Sequence, residues 1–321
     1  MRAEIAVAVA VCSTSCNRGQ SIEVDWPLPQ VIDWQTTPIS ADEVLTDVVH
    51  HDTIPPTSET PWSAVIGAGG AVWRVRDPIS ILPLWPSATQ VTGAANTTPL
   101  RAVTAEHGRL WAVGDQGTVL TTDIDDRITG SVAGADDLVA VAAVGESAIA
   151  VDSTGRLVGI GDAPVPALSV AISDIASDDA GRYWAVATDG GVWRWTNATD
   201  AVEIEIGTRG GEHVAVGPAR EIGVYNASGF LATSRDGELF EPGPMAPSSS
   251  VKDAAWTGDD AWILDDIGLW QLQQGQWVIV KEDPSLTRFA LAPMDVPELR
   301  QVWAIDTAGQ LHIRGPVSAV E

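Results

Sequence analysis

The chain has 321 residues, with 43 acidic against 18 basic side chains and a formal net charge of -25. A polyanion of this kind repels phosphate backbones and anionic lipid surfaces, which argues against nucleic acid as a partner and leaves basic proteins, cations and neutral glycans open. Its 14 tryptophans, against 3 phenylalanines and 2 tyrosines, sit mainly at fixed places in a repeat and are read as core, not as a sugar platform.

At the N-terminus Arg2 precedes the apolar run Ile5 to Val11, and Cys12-Ser13-Thr14-Ser15-Cys16 follows. Residues 1–16 resemble a bacterial lipoprotein signal, with small Thr14 and Ser15 ahead of Cys16 as the acylated residue. That places the protein in the bacterial cell envelope or outside the cell, with a lipid anchor as its link to a membrane; the other reading is an ordinary leading segment. No cysteine follows Cys16, and no other stretch reaches membrane-spanning length. Residues 17–44 form a lead. In it Val31-Ile32-Asp33-Trp34-Gln35 is the best candidate for an edge strand that closes a ring, the other reading being a segment packed across one face.

Residues 45–321 carry a sevenfold repeat. Apolar strands run into turns ending in Gly70, Gly117, Gly155, Gly190, Gly229, Gly268 and Gly309, and an apolar residue stands two places after each glycine: Val72, Val119, Leu157, Val192, Leu231, Trp270 and Leu311. Six places before the glycine four repeats have tryptophan: Trp111, Trp184, Trp262 and Trp303. Upstream, strand starts of the form apolar-x-x-apolar recur, as in Leu100 to Val103, Leu138 to Val141, Ile172 to Ile175, Val251 to Ala254 and Leu286 to Phe289. A period near ~40 residues built of strands predicts an all-β fold, a seven-bladed β-propeller of four-stranded antiparallel blades. Each unit buries one face by stacking on its neighbours. The seventh repeat is short after Leu311, which is why the lead is expected to complete it.

The stretch Leu100-Arg101-Ala102-Val103, followed by Leu110-Trp111-Ala112-Val113-Gly114-Asp115-Gln116-Gly117-Thr118-Val119-Leu120, resembles the repeat of the photosystem assembly factor propellers, a group within the BNR (Asp-box) proteins and akin to WD40/YVTN-type rings. Ser234-Arg235-Asp236-Gly237-Glu238-Leu239-Phe240 is similar to an Asp-box, whose Ser, Asp and Gly close a turn while the last aromatic packs into the blade. The resemblance implies a seven-bladed propeller. It associates such proteins with an arginine-rich binding face, and no arginine cluster of that kind is visible in this sequence.

Candidate functional residues are sought where turn chemistry and broken symmetry point. The turn acids Asp115, Asp152, Asp189, Asp265 and Asp306, with Asn226 in the equivalent place, are expected to ring one face and to favour a cation or basic segment over the channel mouth, unless each simply serves its own turn. The long interval Pro78 to Thr98 makes Trp85 the preferred exposed contact, in a sector shared with the long loop Met294 to Glu298. Tyr183 and Tyr225 read as packing residues, and no motif recruits an arginine triad, so a sialidase is not expected. His50-His51-Asp52 reads as a surface cluster, and the Asp pairs lack the full spacing of a calcium loop, so no cofactor is expected, with calcium, unsupported by a full motif, as the alternative. Spacing alone assembles no cluster of acid, His and Arg at the channel. The leading expectation is therefore a monomeric, non-enzymatic scaffold that binds a protein or glycan. The alternative is a polysaccharide-acting hydrolase or lyase with its site at the channel mouth.

Overall fold

The computed structural model describes residues 30–39, 44–51, 62–76, 88–90, 97–106, 109–122, 128–217, 220–258, 260–291 and 301–317. The first strand, β1 (Gln30–Pro38), comes from the lead. Blade one then holds β2 (Leu45–His51), β3 (Trp62–Gly67), β4 (Val72–Arg76) and β5 (Ala88–Gln90), and blade two β6 (Leu100–Glu106), β7 (Arg109–Gly114), β8 (Thr118–Thr122) and β9 (Ile128–Val132). Blade three has β10 (Leu138–Val144), β11 (Ser147–Asp152) and β12 (Leu157–Ile160). Blade four has β13 (Ile172–Ser177), β14 (Tyr183–Ala187), β15 (Val192–Trp195) and β16 (Val202–Ile204). Blade five has β17 (His213–Val216), β18 (Ile222–Asn226), β19 (Gly229–Ser234) and β20 (Glu241–Pro242). Blade six has β21 (Asp253–Trp256), β22 (Ala261–Leu264), β23 (Gly268–Gln273) and β24 (Gln276–Glu282), and blade seven β25 (Leu286–Leu291), β26 (Val302–Asp306) and β27 (Gln310–Val317). All neighbouring strands within a blade pair antiparallel, which makes the fold a seven-bladed propeller.

Five of the seven repeat glycines fall between the second and third strands of their blades and two, Gly229 and Gly268, open the third strand; all have positive φ, from 68° at Gly117 to 156° at Gly268. A side chain there is strained on its own account. At Gly190 it is also blocked, because a Cβ would stand 2.2 Å from the Gly210 backbone nitrogen. The residues six places earlier, Ala64, Trp111, Ile149, Trp184, Gly223, Trp262 and Trp303, are all buried. They lie on second strands, whose two faces both meet neighbouring blades.

Apolar faces meet at all seven junctions. Ile66 and Val72 of blade one pack with Leu100 and Leu120 of blade two, Trp184 and Val192 of blade four with Val214 and Val224 of blade five, and Trp262 and Leu269 of blade six with Phe289 and Val302 of blade seven. Trp303 and Leu311 of blade seven in turn pack with Leu45 and Trp73 of blade one, so the ring returns on itself.

Two blades depart from the repeat. In blade seven the strand order is β1-β27-β26-β25, with β1 antiparallel to β27 from Gln30↔Val317 to Pro38↔Gln310. The Trp34 indole N–H donates to the Val280 carbonyl at 3.1 Å, and the Lys281 ammonium lies 5.2 Å from its ring centroid, which ties β1 to blade six. Thr36 Oγ1 lies 3.0 Å from His312 Nδ1, and His312 Nε2 3.0 Å from Asp306 Oδ2. Blade three has three strands where four are expected. The residues after β12 include Pro164 and Pro166, each without the N–H that a fourth strand would need, and Val165 and Leu168 instead pack onto the core between blades three and four.

Candidate binding site at the channel mouth

The innermost strands β2, β6, β10, β13, β17, β21 and β25 contact one another around the ring and line its channel. On each, one residue pairs with the position four before the turn glycine: Asp47 with Ile66, Ala102 with Val113, Ala140 with Val151, Asp174 with Val186, His213 with Tyr225, Asp253 with Leu264 and Arg288 with Ile305. These seven form one tier, close to the end of the channel where the glycine turns lie. In five blades a bulge immediately precedes the tier residue, which re-aims its side chain. The backbone is therefore sevenfold while the side chains are not. Three acids, one histidine and one arginine occupy five blades, and two alanines occupy the adjoining blades two and three.

The acids stitch neighbouring blades. Asp47 Oδ1 accepts the Val48 N–H at 2.9 Å and Oδ2 the Val103 N–H of blade two at 2.9 Å. Asp174 likewise accepts from Ile175 (2.9 Å) and from Val214 of blade five (3.1 Å), and Asp253 from Ala254 (3.0 Å) and Phe289 of blade seven (3.1 Å). The residue before each acid adds a second link. Thr46 Oγ1 donates to the Leu100 carbonyl at 2.9 Å, Ser173 Oγ to the Glu212 carbonyl at 2.8 Å, and Lys252 Nζ to the Leu286 carbonyl at 3.4 Å.

Charge is concentrated here under partial burial. Removal from water pushes the Asp47 carboxyl up to about 7, against the opposing pull of Arg288 and of its N–H donors. Burial raises Asp253 as well. The Asp174 carboxylate, 3.4 Å from His213 Nδ1, raises His213 above the usual imidazole value. Asp253 and Asp47 hold Arg288 firmly charged, and one of its nitrogens donates to the Lys252 carbonyl at 2.8 Å. Tyr225 backs the tier, its ring stacked on His213 at 5.2 Å and its hydroxyl 3.4 Å from Asp253 Oδ1.

The sequence-derived candidates lie elsewhere. Trp85 and Cys16 fall outside the described residues. Asp152, Asp265 and Asp306 are buried, and each turns an oxygen back on its own turn: Asp152 to the Thr154 and Arg156 N–H groups, Asp265 to those of Ile267 and Gly268, Asp306 to those of Ala308 and Gln310. Asn226 Oδ1 accepts the Ser228 N–H at 2.8 Å. Asp115 pairs with Arg101, and Asp189 with Arg209 at 3.1 Å on the surface. The Asp-box folds as its turn chemistry requires, Ser234 Oγ accepting the Gly237 N–H at 2.9 Å and Phe240 packing 6.1 Å from the Trp184 ring. Among the described residues no three His, Cys, Asp or Glu side chains are placed to hold a metal.

No family model matches this chain, and no curated protein matches it. Solved structures do. One is YCF48 bound to a D1 peptide, with TM-score 0.60 and 18% identity over 91% of this chain and 100% of that one. A second is YCF48 from Cyanidioschyzon merolae, with TM-score 0.59 and 16% identity over 89% of this chain and 99% of that one. A third is a catalytically inactive virginiamycin B lyase from Staphylococcus aureus with quinupristin, with TM-score 0.66 and 10% identity over 89% of this chain and 100% of that one. The likeness is one of fold. It agrees with the resemblance of the repeats to photosystem assembly factor propellers, and it spans proteins that differ in what they bind.

Proposed function

We propose that this propeller is a non-enzymatic scaffold of the bacterial envelope or extracellular space, holding a polypeptide partner on the face that carries the glycine turns, over the channel mouth. The observation that carries the reading is the state of the tier. Its three carboxylates each accept two backbone N–H groups and Arg288 is tied to a carbonyl, so the polar groups are fixed as walls while their identities break the sevenfold symmetry. A fixed, asymmetric, charged mouth suits recognition. The envelope location draws on the signal-like residues 5–16, and a peptide-bound propeller of similar fold supports a protein partner over a glycan.

The hydrolase or lyase alternative would draw on Asp47, whose carboxyl at about 7 suits a general acid. Against it stands the engagement of both Asp47 oxygens by N–H donors, and of the tier's other two carboxylates, Asp174 and Asp253, in the same way. Photo-crosslinking residues installed at Ser153, Thr188 and Thr307, in glycine turns, and at Glu146 and Asn197, on the opposite face, test the proposal in cells. A discrete adduct from the first set alone is expected; adducts from the second set alone would overturn it. Polysaccharide cleavage that disappears in Asp47→Asn would establish the alternative.

A further inference from the structure

The stitching pattern singles out one backbone group. The N–H that follows each tier residue is served by an aspartate in six blades: its own in blades one, four and six (Val48, Ile175, Ala254), and that of the preceding blade in blades two, five and seven (Val103, Val214, Phe289). The seventh is Val141 in blade three. Its own tier residue is Ala140 and the preceding one Ala102, and no side chain among the described residues accepts its N–H. Ala140 and Val141 pair with Val151 and Ala150 as Ala102 and Val103 pair with Val113 and Ala112, bulge included, so the Val141 N–H turns off the sheet as that of Val103 does toward Asp47. Two alanines, packed in the cores on either side, put no side-chain acceptor in this arc, and the flanking blades one and four carry Asp47 and Asp174.

The geometry points to an insertion site in this arc for a basic segment of a partner polypeptide: a main-chain carbonyl accepts the Val141 N–H, in the place an aspartate oxygen holds in the other blades, and a lysine or arginine side chain lies between Asp47 and Asp174. A guest carboxylate fits less well, because it would stand between two acids in a chain of net charge -25. A neutral carbonyl satisfies the donor without that repulsion, and a basic side chain beside it is drawn to Asp174 and, above about pH 7, to Asp47 as well. This inference rests on the proposed use of the glycine-turn face and specifies its chemistry.

The arc can be closed without unfolding the ring. Ala102→Asp supplies the oxygen that other blades provide from the preceding strand, and Ala102→Asn supplies it without charge, so one variant remains informative if the other fails to fold. The probes are three blocked tripeptides, acetyl-Gly-Lys-Gly-amide, acetyl-Gly-Leu-Gly-amide and acetyl-Gly-Glu-Gly-amide, titrated to about 10 mM into the full chain, with amide shifts followed by NMR. The lysine peptide is expected to move the Val141 amide saturably. The leucine and glutamate peptides should bind at least about tenfold more weakly, and either Ala102 variant should abolish the response. Equal response to all three peptides, or a Val141 shift that survives in a folded Ala102 variant, overturns the inference. Saturable shifts elsewhere on the glycine-turn face with a still Val141 overturn it while leaving the proposed face standing, and silence across that whole face counts against both.

Discussion

At the scale of single residues, the tier makes stability depend on pH in an unusual sense. Between about pH 4 and about pH 7 the folded chain holds a proton on Asp47 that the unfolded chain releases, so stability is highest at the lower end and declines as pH rises through that window. His213, raised by Asp174, acts in the same direction, its contribution disappearing as pH passes its folded value. Asp152, Asp265 and Asp283, whose desolvation is outweighed by hydrogen bonds to neighbouring donors, are held below the usual carboxylate range and lose their contribution in stronger acid. The thermal midpoint is therefore expected to peak near about pH 5 and to fall toward about pH 8. In Asp47→Asn that fall should shrink by on the order of 2 kcal/mol, read by melting curves across pH; an unchanged slope would remove Asp47 as its source. Glycine gives a second test at this scale. Gly190→Ala should cost about 3 kcal/mol or more, since strain and the Gly210 backbone both oppose it, whereas Gly134→Ala, also at positive φ but with nothing within 4 Å of the new Cβ, should cost about 1 kcal/mol in denaturant titration.

At the scale of elements, the blade was legible and the tier was not. Glycine spacing, the apolar residue two places on and, in four repeats, the tryptophan six places back located the second and third strands, because turn geometry and burial act on residues close in sequence. The tier depends on which strands end up side by side. Its trace in the sequence is a Thr, Ser or Lys followed by Asp inside the inner-strand pattern, in Leu45-Thr46-Asp47-Val48, Ile172-Ser173-Asp174-Ile175 and Val251-Lys252-Asp253-Ala254. That pairing could have been noticed, but nothing local reveals that the carboxylate reaches the next blade. The fourth strand of blade three was expected from the repeat, and Pro164 and Pro166 in the sequence already argued against it. Because Asp253 joins β21 to β25, Asp253→Ala should destabilise by about 3 kcal/mol by leaving the Phe289 N–H without its acceptor and by removing one of the two acids that hold Arg288 charged, with faster hydrogen exchange at Phe289 as the local signature.

At the scale of the whole molecule, seven modest sheets become one object because every apolar face has a neighbour. The junction of blade seven with blade one returns the ring on itself, and β1 covers the outer edge of β27 beside it. Removing residues 30–38 is expected to lower the thermal midpoint and to speed hydrogen exchange along β27, while the junction between blades three and four stays protected. Uniform loosening of all blades would instead show that β1 acts on the ring as a whole.

The pairing of β1 with β27 also sets an order of events during biosynthesis. A ribosome delivers β1 before any blade and its partner after all the others, so the lead must wait, unpaired, while six blades emerge. Blades can condense in turn on their predecessors, but β1 and β27 complete their pairing only after translation has passed residue 317. A polypeptide that carries one edge strand ahead of the blades and its partner in the last of them keeps that pair apart until then, an interval in which a chaperone can still handle both edges.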